Sequence, residues 1–174
     1  MKKLLIFAVV VAFASCSKTQ SIQSYYVEKS EDPNFLVIDI PTSILGINNE
    51  VLNEEEQAAL DSFQKLNLLM FRKTAANGEQ FPEELKTVRE IIDGQQFDPL
   101  MVVSDRQFSG KLLLEGSVER PDEIVFFGSA NDEGFLLARL IGSKMQVEKA
   151  VVLAKALERE GALDNAVDAI GQML

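Results

Sequence analysis

A chain of 174 residues, 47% hydrophobic and 25% charged, suits one domain with a sizeable core. Its 17 bases against 27 acids, net −10, argue against nucleic acid, which needs a basic face to neutralise phosphates. Histidine is absent, which removes Ser-His-Asp and Cys-His machinery and nearly all zinc chemistry, and the lone cysteine removes any intramolecular disulfide.

The chain opens MKKLLIFAVVVAFASC. Lys2 and Lys3 form a positive head, residues 4–13 a short apolar run, and Ala14 and Ser15 a small-residue cut site. Ten apolar residues are too few to span a bilayer, which takes about 20. Cys16 follows at once, and here the segment resembles a bacterial lipoprotein signal, with Phe13 standing where leucine is more usual. That resemblance implies cleavage before Cys16, acylation of its thiol (palmitate or a similar chain) and a further acyl chain on its amino group. Two or three chains give a stable hold on a membrane where one does not. Removing residues 1–15 leaves 159 residues with 15 bases and 27 acids, net −12.

Residues 17–33, SKTQSIQSYYVEKSEDP, are polar and read as a tether, with the start of a strand possible at Tyr25 to Val27. FLVIDIP (35–41) reads as the first strand, ended by proline. Asn53 before Glu54, Glu55 and Glu56 starts a helix, with Ala59, Leu60, Phe63 and Leu66 as its apolar face, running to about Lys65. A strand follows at 68–72. Pro82 opens a second helix whose face is Phe81, Leu85, Val88 and Ile92, ended by Gly94. PLMVVSD, KLLLEGSVE, EIVFFGS and GFLLARLIG then read as four strands joined by the short separators DRQFSG, RPD and ANDEG, as in a meander. A last helix presents Val147, Ala150, Val151, Ala154 and Leu157, and residues 162–174 suggest one more, with Leu163, Val167 and Ile170.

The order β-α-β-α-β-β-β-β-α predicts an α+β fold: a mostly antiparallel sheet of about five to six strands with helices packed on one face. The leading βαβ leaves room for one parallel pair. The predicted division is a signal peptide over 1–15, a lipidated cysteine and tether over 16–33, and a single domain over 34–174. FLVIDIP, LNLLMFRK, FPEELKTV and the run LLLEGSVERPDEIVFFGSANDEGFLLARLIG into VEKAVVLAKAL resemble a family of small Bacteroidota lipoproteins, the domain of unknown function DUF4252. The resemblance covers about residues 35–157. It implies an envelope location and brings no catalytic residues.

The candidate sites have plain structural explanations. Glu54, Glu55 and Glu56 point in different directions on a helix and suit its first turn better than a cation. Asn131, Asp132, Glu133 and Gly134 suit a hairpin turn better than calcium. Ser104-Asp105-Arg106 and Gly128-Ser129 lack the G-x-S-x-G elbow. Ser109 with Lys111, and Ser143 with Lys144, lack the S-x-x-K spacing. Phe126, Phe127 and Phe135 are read as core or as the floor of a ligand groove, and EIVFF and FLLARLI, apolar on both faces, hint that one face meets helices and the other a partner.

The site expected is therefore Cys16 for lipidation, with no catalytic, metal or cofactor residues. The function expected is a non-enzymatic binding or interaction module, held to the membrane through Cys16 and able to meet an envelope protein. Ser17 after Cys16, and no acidic stretch in SKTQS, point by resemblance to the outer membrane, facing the periplasm. Two other readings stay open: a carrier of a small apolar ligand, and a carboxylate-type hydrolase acting on envelope polymers.

Overall fold

The computed structural model describes residues 20–41, 52–94 and 97–159. Cys16, the loop sequence ILGINN and residues 162–174 lie outside the described residues. In chain order the elements are α1 (Ile22–Lys29), β1 (Phe35–Pro41), α2 (Glu54–Ser62), β2 (Phe63–Arg72), α3 (Phe81–Gly94), β3 (Asp98–Ser104), β4 (Phe108–Ser117), β5 (Arg120–Ala130), β6 (Gly134–Gly142) and α4 (Val147–Arg159).

The six strands form one sheet in the order β1-β2-β6-β5-β4-β3, and every neighbouring pair is antiparallel. The fold is α+β, as the pattern of elements predicted. There is no parallel pair among the described strands: Pro41 at the end of β1 faces Lys65 at the start of β2. α2 therefore sits at that end of the sheet and need not carry the chain back along it. α2 also runs into β2 without a loop. Phe63 turns extended (φ −100°, ψ 143°) while its N–H still donates to the Leu60 carbonyl. The expected helix to Lys65 thus stops three residues early, because Phe63 serves both as helix end and first strand residue.

Residues expected as tether form α1. Ser21 caps it: its hydroxyl accepts the Ser24 N–H at 3.1 Å, and the Ser24 hydroxyl accepts the Ser21 N–H at 3.0 Å. Ile22, Tyr25 and Tyr26 fall at i, i+3 and i+4, and all three are buried. The Tyr26 hydroxyl donates to the Leu137 carbonyl at 2.7 Å, and the Tyr25 hydroxyl donates to Glu84 at 2.7 Å. The tyrosines belong to the core, and no strand begins there.

The separator RPD is also no turn. Arg120, Pro121 and Asp122 start β5, and the chain reverses earlier, beyond Gly116, whose φ of +97° follows a bulge at Glu115/Gly116. In α4, Ala150 of the predicted face packs against the second core cluster, as does Val152, while Val151 is exposed and Ala156 is buried.

The main core lies where α1 and α3 cover one sheet face. Leu69, Phe71, Leu113, Val125, Phe127, Phe135 and Leu137 meet Ile22, Tyr25 and Tyr26 from α1 and Phe81, Val88, Ile91 and Ile92 from α3. Phe71 and Phe135, opposite each other in the ladder, stack with centroids 5.5 Å apart. The expectation of helices on one face holds for these two. α2 and α4 gather around a second cluster of Ala59, Leu60, Phe63 and Met145, and Leu140 of β6 packs against it. Leu140 alternates with Leu137 and Arg139, so it points to the opposite face.

Candidate binding groove

Register assigns every strand residue to a face. On the face away from α1 and α3, one row across the sheet is Leu66, Leu140, Ile124 and Leu114. This row lies at the α2–α4 end, and Ile124 and Leu114 are buried. Two rows on, the side chains are Met70, Leu136, Gly128, Gly110 and Val103. Two glycines thus meet side by side in the middle of a sheet.

Two phenyl rings occupy the room that they leave. A Cβ at Gly110 would stand 3.1 Å from the Phe108 ring, and one at Gly128 would stand 3.2 Å from the Phe126 ring. The rings lie on bare backbone, shielding it while keeping their outer faces open. Phe126 remains 38% exposed, whereas Phe127, the next residue, is 1% exposed among the helices. Around this shelf lies a groove of about 570 Å3, floored by Met70, Phe108, Phe126, Gly128 and Leu136. Arg72, Lys73, Asp132 and Glu133 form its rim. The Lys73 ammonium donates to the Asn131 carbonyl at 2.7 Å. Gly134 closes the rim at φ +126°, where a Cβ would run into the Phe71 carbonyl oxygen. The volume lies within the ~300–1,000 Å3 range of small-molecule pockets.

The titratable groups are arranged for structure. Each of three buried carboxylates has its own cation. Glu123 takes a two-pronged bond from Arg139, Nε to Oε1 at 2.6 Å and Nη2 to Oε2 at 2.7 Å. Arg139 also donates to Gln23 at 2.8 Å and lies over the Tyr26 ring. Burial would pull the Arg139 pKa down, but the bond and charge of Glu123 outweigh it and hold it above the ordinary value. Glu84 takes Lys29 at 2.7 Å, and Glu56 takes Arg159 at 2.6 Å. Burial pushes both the Tyr25 and Tyr26 hydroxyls far above the usual tyrosine range, so they stay protonated donors.

The residues weighed in the sequence take these places. Glu56 closes a capping box with Asn53, its carboxylate accepting the Asn53 N–H at 3.0 Å, while Glu54 and Glu55 are exposed. Asn131, Asp132 and Glu133 form the β5–β6 turn, and among the described residues no group of three or more acidic or cysteine side chains could hold a metal ion. Ser104 ends β3, and Asp105 accepts the N–H groups of Gln107 and Phe108 in the turn beyond. Ser109 and Ser129 stand 2.8 Å apart on the helix-covered face, with Arg89 donating to Ser109 at 3.0 Å. Lys111 is paired with Asp93 at 2.5 Å and is no free base for Ser109. The Ser143 N–H donates to the Ser62 carbonyl. Of the three phenylalanines, Phe127 and Phe135 are core and Phe126 floors the groove. The Gly110–Gly128 shelf escaped the sequence reading. Its one local trace is the alternation of Ile124, Phe126 and Gly128 against Val125, Phe127 and Ser129.

A family model matches residues 25–153, the domain of unknown function DUF4252. The chain belongs to this family. The match begins at Tyr25, inside α1, so it takes in the part of that helix that carries both buried tyrosines. No curated protein and no solved structure gives a match.

Proposed function

We propose that the protein is an envelope lipoprotein, acylated at Cys16 and held to the outer membrane facing the periplasm, and that it works as a non-enzymatic binding module. The groove on the sheet face opposite α1 and α3 carries this reading. It offers aromatic and aliphatic surface on a rigid sheet, with the shape of a receptor for an apolar group of an envelope protein. The matching of each buried carboxylate to a cation supports binding over hydrolysis, because a carboxylate hydrolase needs two facing acids with pKa values pushed apart. The signal-like start, the small residues before Cys16 and the resemblance to Bacteroidota lipoproteins support the anchor.

Two measurements test this. The intact mass of protein extracted from membranes should equal the chain from Cys16 onward plus acyl chains, and Cys16→Ala should abolish the acyl mass. A photo-crosslinking residue at Phe126 should give one discrete adduct in cells, lost when Cys16 is replaced. An unmodified mass sinks the anchor, and no adduct sinks the binding face. The groove volume also favours a second reading, the carrier of a small apolar ligand. Native mass spectrometry would then find a bound small molecule released by Phe126→Glu.

A further inference from the structure

We propose that two copies of this chain join β3 to β3, antiparallel, across a two-fold axis at Val103. This inference does not rest on the groove and concerns β3, an edge strand whose outer side no other described strand covers. All seven residues of β3 are exposed, with Met101, Val102 and Val103 at 53, 59 and 45%. The opposite edge is better guarded. β1 carries Asp39, ends on Pro41 and is half-buried over its first four residues.

The ladder identifies which peptide groups of β3 are free. Hydrogen-bonded and non-hydrogen-bonded pairs alternate along antiparallel strands. The Asp105 N–H donates to the Phe108 carbonyl at 2.8 Å, so the bonded pairs of β3 with β4 continue at Val103–Gly110 and Met101–Leu112. The Asn131 N–H donates to the Gln107 carbonyl at 3.1 Å, which gives the complementary alternation between β4 and β5. The N–H and C=O groups of Val102 and Ser104 therefore face outward. Further back, Pro99 has no N–H, and a bulge between Pro99 and Met101 breaks the ladder.

A second copy fits this short edge in one register. With the axis at Val103, Val102 pairs with Ser104 of the other copy and Ser104 with its Val102, making four hydrogen bonds that use only the free groups. Charge selects the same register. Counting the bulge, an axis at Val102 would set Asp98 against Asp105 of the other copy, twice. The axis at Val103 instead carries Asp98 past the end of that strand, toward the turn that holds Arg106. Neither Asp98 nor Arg106 has an ion partner among the described residues. The middle of the edge is uncharged and self-complementary, so a two-fold brings no like charges together at its centre.

Sedimentation equilibrium of the full chain, in detergent and reducing buffer, tests this. A dimer is expected. Val103→Lys sets two ammonium groups face to face at the axis and should weaken it by about tenfold. Asp98→Arg alone and Arg106→Asp alone should each weaken it by roughly tenfold, and the double exchange should restore it to within about threefold. At concentrations low enough for every form to be monomeric, thermal melts of these variants should match the unaltered chain, since all three side chains are exposed. A monomer up to ~100 μM, a dimer indifferent to Val103→Lys, or a double exchange no better than the singles would each overturn the proposal.

Discussion

The two faces of the sheet are made by the same strands and do opposite things. On β5, Val125 and Phe127 enter the core under α1 and α3, while Phe126 between them lies over Gly128 in the open. On β6, Phe135 and Leu137 are core, while Leu136 floors the groove. The covered face fills its space with side chains that interlock with helices. The open face removes side chains at Gly110 and Gly128 and lays rings in their place. At this end of the sheet one face is packed core, and the other lies open.

The largest expected contrast is between neighbours in sequence. Phe127→Ala should cost about 3–5 kcal/mol in denaturant melts, while Phe126→Ala should cost less than about 1 kcal/mol. Equal losses would mean that the open face is part of the core. Next comes the buried ion pair. Glu123→Gln leaves Arg139 charged without its counter-ion and should cost about 3 kcal/mol, whereas replacing Glu123 by Leu and Arg139 by Met together should recover most of that. Tyr26→Phe should cost about 1–2 kcal/mol, because it removes the buried hydroxyl that bonds the Leu137 carbonyl across from α1.

The smallest effect concerns the α2–α4 end and pH. The Arg159 bond and the Asn53 N–H hold the Glu56 carboxyl below its ordinary value. The folded protein thus binds this proton less readily than the unfolded chain. The contribution is present above the ordinary carboxylate range and is lost as pH falls through the lower folded value. Glu56→Gln should reduce the acid sensitivity of the melting temperature, and an unchanged pH profile would remove Glu56 from the account.

Much of the frame was legible locally. GFLLARLIG marked β6 and FLVIDIP marked β1, because a strand's apolar run and the turn residues beside it are contained in the run itself. α1 was hidden because its eight residues carry only four apolar side chains, one of them the exposed Val27, and the helical spacing of the others means little until Tyr25 and Tyr26 find partners 59 and 111 residues away. The α2–β2 junction was hidden because Phe63 satisfies both patterns. At the site, the doubly apolar EIVFF and FLLARLI hinted at a second usable face. The shelf itself comes into being only through register, which brings Gly110 opposite Gly128. Cys16, the residue that the sequence marks most strongly, lies outside the described residues.

The strand order also bears on how the chain assembles. β3 to β6 pair each with the next along the chain, so three ladders can zip from tight reversals. The central seam, β2 with β6, must bring Phe71 to Phe135 and Lys65 to Ile141 across the whole meander. Closing so long a loop costs entropy before any contact compensates for it. Folding is therefore expected to wait on that seam. Destabilising Leu69 or Leu137 on the seam should slow refolding, whereas disturbing the exposed β3 margin should leave the refolding rate nearly untouched and speed unfolding instead.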